Sequence, residues 1–208
     1  MVNRFINFYI SLFCVLIFMV HSNSCDAQNQ IILRYGVLNH LPSNLPTELK
    51  NNWQTSSNTF EILYERVSTF NDKYNINAGF GFSVYRFSNS NLFFDDKIRQ
   101  SNYAILKYGM NRKIYTEKIF LNLDIFHYIL TNKEKQDDSQ RRIFSNLEMG
   151  FSYYINKRFR ISISSPFTLY PMFLLRLGAG DFNKNEPITR YNSKVRNYGL
   201  NFGFTYNF

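Results

Sequence analysis

The chain has 208 residues, enough for one domain with or without a targeting segment. Its composition, 45% hydrophobic and 19% charged, excludes an intrinsically disordered chain. The formal net charge of +9 does not indicate nucleic acid as a partner, because the basic residues are scattered singly or in pairs and form no helical stripe. Aromatic residues reach 18% although mean hydropathy is only −0.30, a combination typical of a β protein with aromatic residues facing lipid and polar residues facing inward.

The first 27 residues have the features of a cleavable signal peptide. Arg4 gives the N-terminal region a positive charge, and Phe8 to Val20 form a short apolar run. The residues Cys25-Asp26-Ala27 place small side chains at positions −3 and −1 of a cleavage site. We therefore expect a signal peptide at 1–27 and one mature domain at 28–208.

Both cysteines of the chain, Cys14 and Cys25, lie within this expected signal peptide. Cleavage after Ala27 would leave a mature chain without cysteine, which excludes disulfides, thiolate metal sites and a cysteine nucleophile. A lipid-modified Cys25 is the alternative, although Ser22-Asn23-Ser24 lacks the apolar residue that a lipoprotein signal carries at its first position.

Eight segments of the mature chain alternate large apolar residues with small or polar ones, the pattern of a β-strand with one apolar face. The predicted strands are, in chain order, 31–39, 59–67, 75–84, 102–110, 119–126, 147–156, 159–164 and 198–208. The last shows the alternation most clearly. Its one face consists of Tyr198, Leu200, Phe202, Phe204, Tyr206 and Phe208, and its other face of Gly199, Asn201, Gly203, Thr205 and Asn207.

The connections between these strands alternate in length. Short ones lie at 71–73, 111–117 and 156–158, and long ones at 40–58, 88–101, 131–143 and 171–196. This order predicts an all-β, antiparallel up-and-down transmembrane β-barrel of eight strands, with short periplasmic turns and long outer loops. Within the last connection, MFLLRLGAG at 172–180 is too apolar for a plain loop. It could extend the seventh strand, form a small outer hairpin, or belong to a further strand pair, which would make ten strands.

The chain ends in the sequence NFGFTYNF, in which Asn201, Gly203, Tyr206 and Phe208 stand at fixed spacing. This ending resembles the C-terminal β-signal of outer-membrane barrels, and the resemblance implies that these four residues are recognised by the barrel-assembly machinery. The whole of 29–208 resembles the small eight-stranded barrels of the OmpA/OmpX type. That resemblance implies a place in the outer membrane of a Gram-negative cell envelope, in contact with outer-membrane lipid and lipopolysaccharide.

Successive side chains of a strand point alternately to its two faces, and we call the face that a residue takes its parity. The parity of the predicted strands directs a set of charged side chains into the barrel lumen. They are Arg34, Glu61, Glu65, Lys107, Asp124, Glu148 and Arg160. Because an unpaired ion in a narrow lumen would be costly, we expect these three cations and four anions to pair. The favoured interpretation is a structural network filling a barrel too narrow to conduct; a solute pathway or proton relay is the alternative.

The sequence contains no recognisable catalytic, cofactor-binding or metal-binding motif. The mature chain has two histidines, with His127 expected on the outward face at the lipid interface and His40 at the edge of the first outer loop. No serine stands in a Gly-x-Ser-x-Gly context, and no cofactor or metal motif occurs. We therefore predict a non-enzymatic outer-membrane protein with a surface-contact or envelope-integrity role. The alternatives are a lipid-modifying outer-membrane enzyme, a small channel, and a secreted lipocalin-like barrel that binds an apolar ligand.

Overall fold

The computed structural model describes residues 27–42, 55–89, 100–131, 142–171, 174–179 and 189–208. The expected signal peptide, apart from Ala27, lies outside the described residues. The described residues form nine strands: β1 (Ala27–Pro42), β2 (Thr55–Asn71), β3 (Tyr74–Asn89), β4 (Gln100–Lys113), β5 (Ile119–Leu130), β6 (Ile143–Tyr154), β7 (Phe159–Tyr170), β8 (Leu174–Ala179) and β9 (Thr189–Asn207). Within these ranges no helix is long and apolar enough to cross a membrane.

Eight of the strands close into an antiparallel barrel. The strands β1 to β7 pair in chain order, β7 pairs with β9, and β9 returns to β1 over the register Gln30↔Asn207 to Pro42↔Val195. All pairings are antiparallel, from β1 with β2 through to the closing pair. The predicted eight-stranded up-and-down barrel is therefore confirmed.

The predicted connection at 171–196 is wrong in its bounds, because most of it is strand. Residues Leu174 to Ala179 form β8, which pairs with β9 from Leu174↔Lys194 to Ala179↔Thr189. This pairing continues β9 beyond its last partner in β1, so the apolar stretch forms the small outer hairpin and adds no strand to the barrel wall. The hairpin gives the backbone of this stretch hydrogen-bonding partners that a plain loop would lack.

The short connections lie at one end of the barrel, which we call the turn end; the opposite end is the loop end. In two of the turns an asparagine side chain caps the backbone. The Asn71 Oδ1 atom accepts from the backbone N–H of Lys73 and Tyr74, and Asn156 Oδ1 accepts from Arg158 and Phe159. Such side-chain caps stabilise tight turns and explain why these links stay short.

The outer face of the barrel is a belt of exposed apolar side chains. Every barrel strand contributes, as shown by Tyr35, Phe60, Phe82, Met110, Leu123, Phe151, Ile161 and Phe202. On β1 the exposed apolar residues run from Ile31 to Leu41. At the usual rise per residue and strand tilt this corresponds to a belt about 25 Å tall, the thickness expected of a bilayer-spanning barrel.

Candidate functional site: a charged and closed lumen

The structure places all seven charged residues of the predicted network inside the barrel. Each is at least nine-tenths buried: Arg34, Glu61, Glu65, Lys107, Asp124, Glu148 and Arg160. They come from the six strands β1, β2, β4, β5, β6 and β7, because side chains alternate along each strand and the charged ones lie on the inward face.

Arg34 joins two carboxylates that belong to strands on different sides of the lumen. Its Nη1 atom lies 2.8 Å from Glu61 Oε2, and its Nη2 atom donates to Glu148 Oε2. Further donors reach both carboxylates: Tyr128 (3.0 Å) and Ser83 (3.4 Å) bind Glu61 Oε1, and Ser164 (2.8 Å) and Asn201 (3.1 Å) bind Glu148. These contacts hold each carboxylate in one orientation, and the hydrogen bonds offset part of the free energy needed to remove its charge from water.

Lys107 forms the second centre of the network. Its Nζ atom donates to Glu65 and lies 3.3 Å from Asp124 Oδ2. The Arg160 guanidinium lies 3.9 Å from the second oxygen of Glu65. Asn77 donates to Asp124 at 3.0 Å. Like Arg34, Lys107 therefore contacts two carboxylates.

The Phe126 ring connects the two centres. The Arg34 guanidinium carbon lies 4.4 Å from the centre of this ring, and Lys107 Nζ lies 5.7 Å from it. These are cation–π distances, and such contacts are strongest where water is excluded. Within the network just described, four carboxylates therefore face three cations and one aromatic ring.

Glycines on the inner face leave room for the long charged side chains. A Cβ added to Gly109 would lie 2.1 Å from Asp124 Oδ1. At such a distance the carboxylate would have to leave its position beside Lys107. The small residues that alternate with large outward ones thus have a second role, which is to make space for the ions.

Towards the loop end the lumen is filled by aromatic rings that the alternation pattern did not predict. Tyr85, Tyr103, Tyr128 and Phe144, which we call the aromatic plug, are at most 1% exposed. The Tyr128 and Phe144 rings stack at 4.4 Å, and Phe144 meets Tyr103 edge-on at 5.1 Å. Tyr85 meets Tyr103 edge-on at 5.2 Å. Rings in such contact pack closely and leave little space between them.

His40 lies at the same end of the lumen, and not at the edge of a loop as predicted. The strand β1 continues to Pro42, so the side chain follows the inward parity and is fully buried. Its Nδ1 atom lies 2.9 Å from Asn197 Oδ1 and its Nε2 atom 2.8 Å from Ser57 Oγ. These contacts tie β1 to both of its neighbours.

A small cavity of about 30 Å³ remains beside the ions, lined among others by Arg34, Asp124, Glu148 and Arg160. This volume holds about two water molecules. In the described part of the chain no three His, Cys, Asp or Glu side chains are grouped as metal ligands. The lumen is thus a packed interior whose chemistry is that of paired ions with a little trapped space.

Two residues of the predicted β-signal belong to this interior. Asn201 donates to Glu148, as described above, and is 4% exposed. A Cβ on Gly203 would lie 2.3 Å from Ser162 Oγ and 3.5 Å from Arg34 Cγ. Both residues therefore contribute to packing around the network, independently of any role in assembly.

The two aromatic residues of that ending face outward, at the turn end. The Phe208 ring lies 6.4 Å from both Tyr64 and Tyr206, and Phe159 lies 5.4 Å from Tyr206. The Phe208 backbone N–H donates to the carbonyl of Asn29 at 3.1 Å. The rings form a band across the closing strands at the level expected for an aromatic girdle.

A polar chain lies within the apolar outer face, across β4, β5 and β6. Tyr108 Oη lies 3.0 Å from His127 Nε2, and His127 Nδ1 lies 2.7 Å from Ser145 Oγ. The predicted outward orientation of His127 agrees with its half-buried position. Ser145 could not be recognised from the sequence as a partner of His127, because residues 127 and 145 become neighbours only through the strand register.

No protein-family model matches the chain, and no curated protein matches it in sequence. Similar solved structures include Ail, the attachment invasion locus protein of Yersinia pestis, at 12% identity over 88% of this chain and 100% of that chain, with a TM-score of 0.46. Neisserial surface protein A matches at 11% identity over 86% and 97%, with a TM-score of 0.43. The N-terminal β-barrel domain of Pseudomonas aeruginosa OprF matches at 13% identity over 88% and 100%, with a TM-score of 0.40. At these identities the likeness concerns architecture alone, and it is the strand pairing that establishes this chain as an eight-stranded closed barrel.

Proposed function

We propose that the chain is an integral outer-membrane barrel that does not conduct and that anchors its loop end at the cell surface for a contact or envelope-integrity role. One observation carries the proposal: the barrel exposes apolar side chains all round while it buries seven ions. In water this arrangement would leave a large apolar surface exposed, whereas in a bilayer it satisfies both faces.

The closed lumen supports an anchoring role over the two alternative barrel functions. A channel needs a continuous aqueous path, but the aromatic plug and the ion network fill successive levels of the interior. A lipocalin-like protein needs an apolar cavity for its ligand, but the cavity found among the described residues beside the ions is small and lined mostly by polar and charged side chains. Both alternatives are therefore disfavoured.

The proposal also covers how the chain is exported and how the barrel is assembled in the membrane. A signal peptide cleaved after Ala27 would export the chain, and the ending with Asn201, Gly203, Tyr206 and Phe208 would present the last strand to the barrel-assembly machinery. The support is physical: β9 carries an apolar outward face and must pair with β1 to close the barrel. An unpaired strand of this kind is a template for strand addition.

Membrane insertion is tested by fractionating Gram-negative cells that express the full chain. We expect the protein in outer membranes after a urea wash, and in detergent we expect an unheated gel band that migrates differently from the heated one. Release into the soluble fraction by the urea wash, with no heat-dependent band, would refute the proposal.

The Ser145–His127 contact of 2.7 Å favours one second candidate, a lipid acyl hydrolase. Ser145 Oγ would attack an acyl ester carbonyl while His127 accepts its proton and returns it to the alcohol that departs as the ester C–O bond breaks. Water would then cleave the acyl-serine to a free acid and restore the serine hydroxyl. The third member of the chain is Tyr108 instead of a carboxylate. Mass spectrometry of lipid A from cells with the unmodified chain or Ser145→Ala tests this candidate. Identical acylation in both would eliminate it.

A further inference from the structure

Basic residues concentrate at the turn end of the barrel. The three turns and the residues that flank them contain Lys73, Arg112, Lys113, Lys118, Lys157 and Arg158, which we call the basic collar. The acidic residues of the same segments are Asp72 and Glu117. Every one of the three turns contributes at least one cation, so positive charge lies at three places around the rim of the barrel.

Two members of the basic collar are engaged within the protein. The Arg112 guanidinium lies 5.6 Å from the centre of the Tyr74 ring, and Lys113 Nζ lies 3.5 Å from Glu117 Oε1. Lys118, Lys157 and Arg158 are exposed. These three can therefore reach a ligand outside the barrel without breaking a contact in the lumen.

Exposed apolar side chains lie next to these cations. Phe70 is 70% exposed, Tyr115 is 87% exposed, and Ile114 and Ile155 are about half exposed. Cations interleaved with apolar and aromatic side chains are suited to the headgroup region of a bilayer, where the rings lie among headgroups and the cations meet phosphate. A purely aqueous partner would leave these apolar groups exposed.

We propose that the basic collar binds the phosphates of anionic glycerophospholipids in the membrane leaflet at the turn end, and so fixes the depth of the barrel. The proposal rests on the membrane insertion proposed above. The partner is a phospholipid and not an anionic polymer, because the cations lie on the rim of the barrel next to exposed apolar side chains.

The test uses the mature chain reconstituted in phosphatidylcholine vesicles that contain a minor fraction of phosphatidylglycerol. Spin-labelled forms of the two lipids report how strongly each is enriched around the barrel. The test variant combines Lys118→Gln, Lys157→Gln and Arg158→Gln, and the control combines Arg86→Gln, Lys194→Gln and Arg196→Gln at the loop end, where the side chains are also exposed.

We expect phosphatidylglycerol to be enriched over phosphatidylcholine around the unmodified chain and the control. In the test variant this enrichment should fall by about fivefold or more, since each basic residue near an anionic surface contributes about 1 kcal/mol. High salt should reduce the enrichment of the unmodified chain in the same direction.

Equal enrichment in the test variant and the unmodified chain would overturn the proposal, as would an equal loss in the control. Loss of sedimentation with purified peptidoglycan by the test variant, with lipid enrichment unchanged, would assign the collar to that polymer and overturn it too.

Flotation of the folded, heat-modifiable form with pure phosphatidylcholine vesicles distinguishes failure of the membrane-insertion proposal from failure of the basic-collar proposal. Failure to float would remove membrane insertion and the collar together, whereas flotation without lipid selectivity would remove the collar alone.

Discussion

The lumen network predicts a sharp asymmetry between losing a cation and losing a carboxylate. In Arg34→Met, Glu61 and Glu148 lose a shared buried partner and face each other's charge through a low-dielectric interior. Removal of one partner from a buried ion pair costs about 3–5 kcal/mol. Because Arg34 serves two carboxylates, we expect the loss in unfolding free energy to lie at the upper end of that range.

Glu61→Gln is the matched control on the opposite side of the same contact. It keeps the shape of the side chain and an oxygen that can accept from Tyr128 at the 3.0 Å position. It also lowers the number of carboxylates in the network from four to three, which equals the number of cations. We therefore expect a loss of about 1 kcal/mol, that of an ordinary hydrogen bond.

Equilibrium urea unfolding in lipid vesicles, followed by the heat-modifiable gel shift, measures both variants. If Arg34→Met does not fold, Arg34→Lys provides the comparison, because it keeps the charge but cannot bind two carboxylates in the same fork geometry. Equal losses for the arginine and glutamate variants would show that charge balance does not govern the lumen. A loss below about 1 kcal/mol for Arg34→Met would show that the network is not buried as described.

Three further outcomes follow from the faces of the strands. Phe82→Lys and Leu123→Lys should each destabilise the barrel in vesicles by about 2–4 kcal/mol, because both side chains face lipid; an equal cost for the lumen variant Asn122→Lys would contradict the assigned parity. Deletion of Phe208, or Tyr206→Asp, should lower outer-membrane yield in cells more than refolding yield in detergent, and unchanged cellular yield would count against the β-signal. Purified protein in planar bilayers should show no steady conductance, and reproducible conductance would reopen the channel alternative.

Strand parity was the part of the fold that the sequence could predict. Leu123 is exposed to lipid and Asn122 is buried, as the alternation of β5 indicates, and Arg34 on β1 likewise faces the lumen. Parity is reliable here because successive side chains of a strand point to opposite faces, and each face meets a different solvent. One misplaced residue would put a charge into lipid.

The aromatic plug escaped prediction because it lies near and beyond the ends of the predicted strands. The third predicted strand stopped at Val84, one residue before Tyr85, and the fifth stopped at Phe126, two before Tyr128. The sixth began at Leu147, three residues after Phe144. Towards the loop end the inward residues become large and aromatic while the outward ones include polar residues such as His127 and Ser145, so the alternation that marks a strand fades while the strand itself continues.

The pairing of the ions depends on a level of structure that parity does not contain. Arg34 and Glu148 are 114 residues apart in sequence and meet because the barrel closes with a definite stagger between strands. A slip of two residues between neighbouring strands would keep every side chain on its face, yet it would move Arg34 about 7 Å along the strand relative to Glu61. Each buried ion would then lose its partner at a cost of several kcal/mol. The same charges that close the lumen therefore also penalise the wrong register, which an apolar filling of the same volume would tolerate more readily.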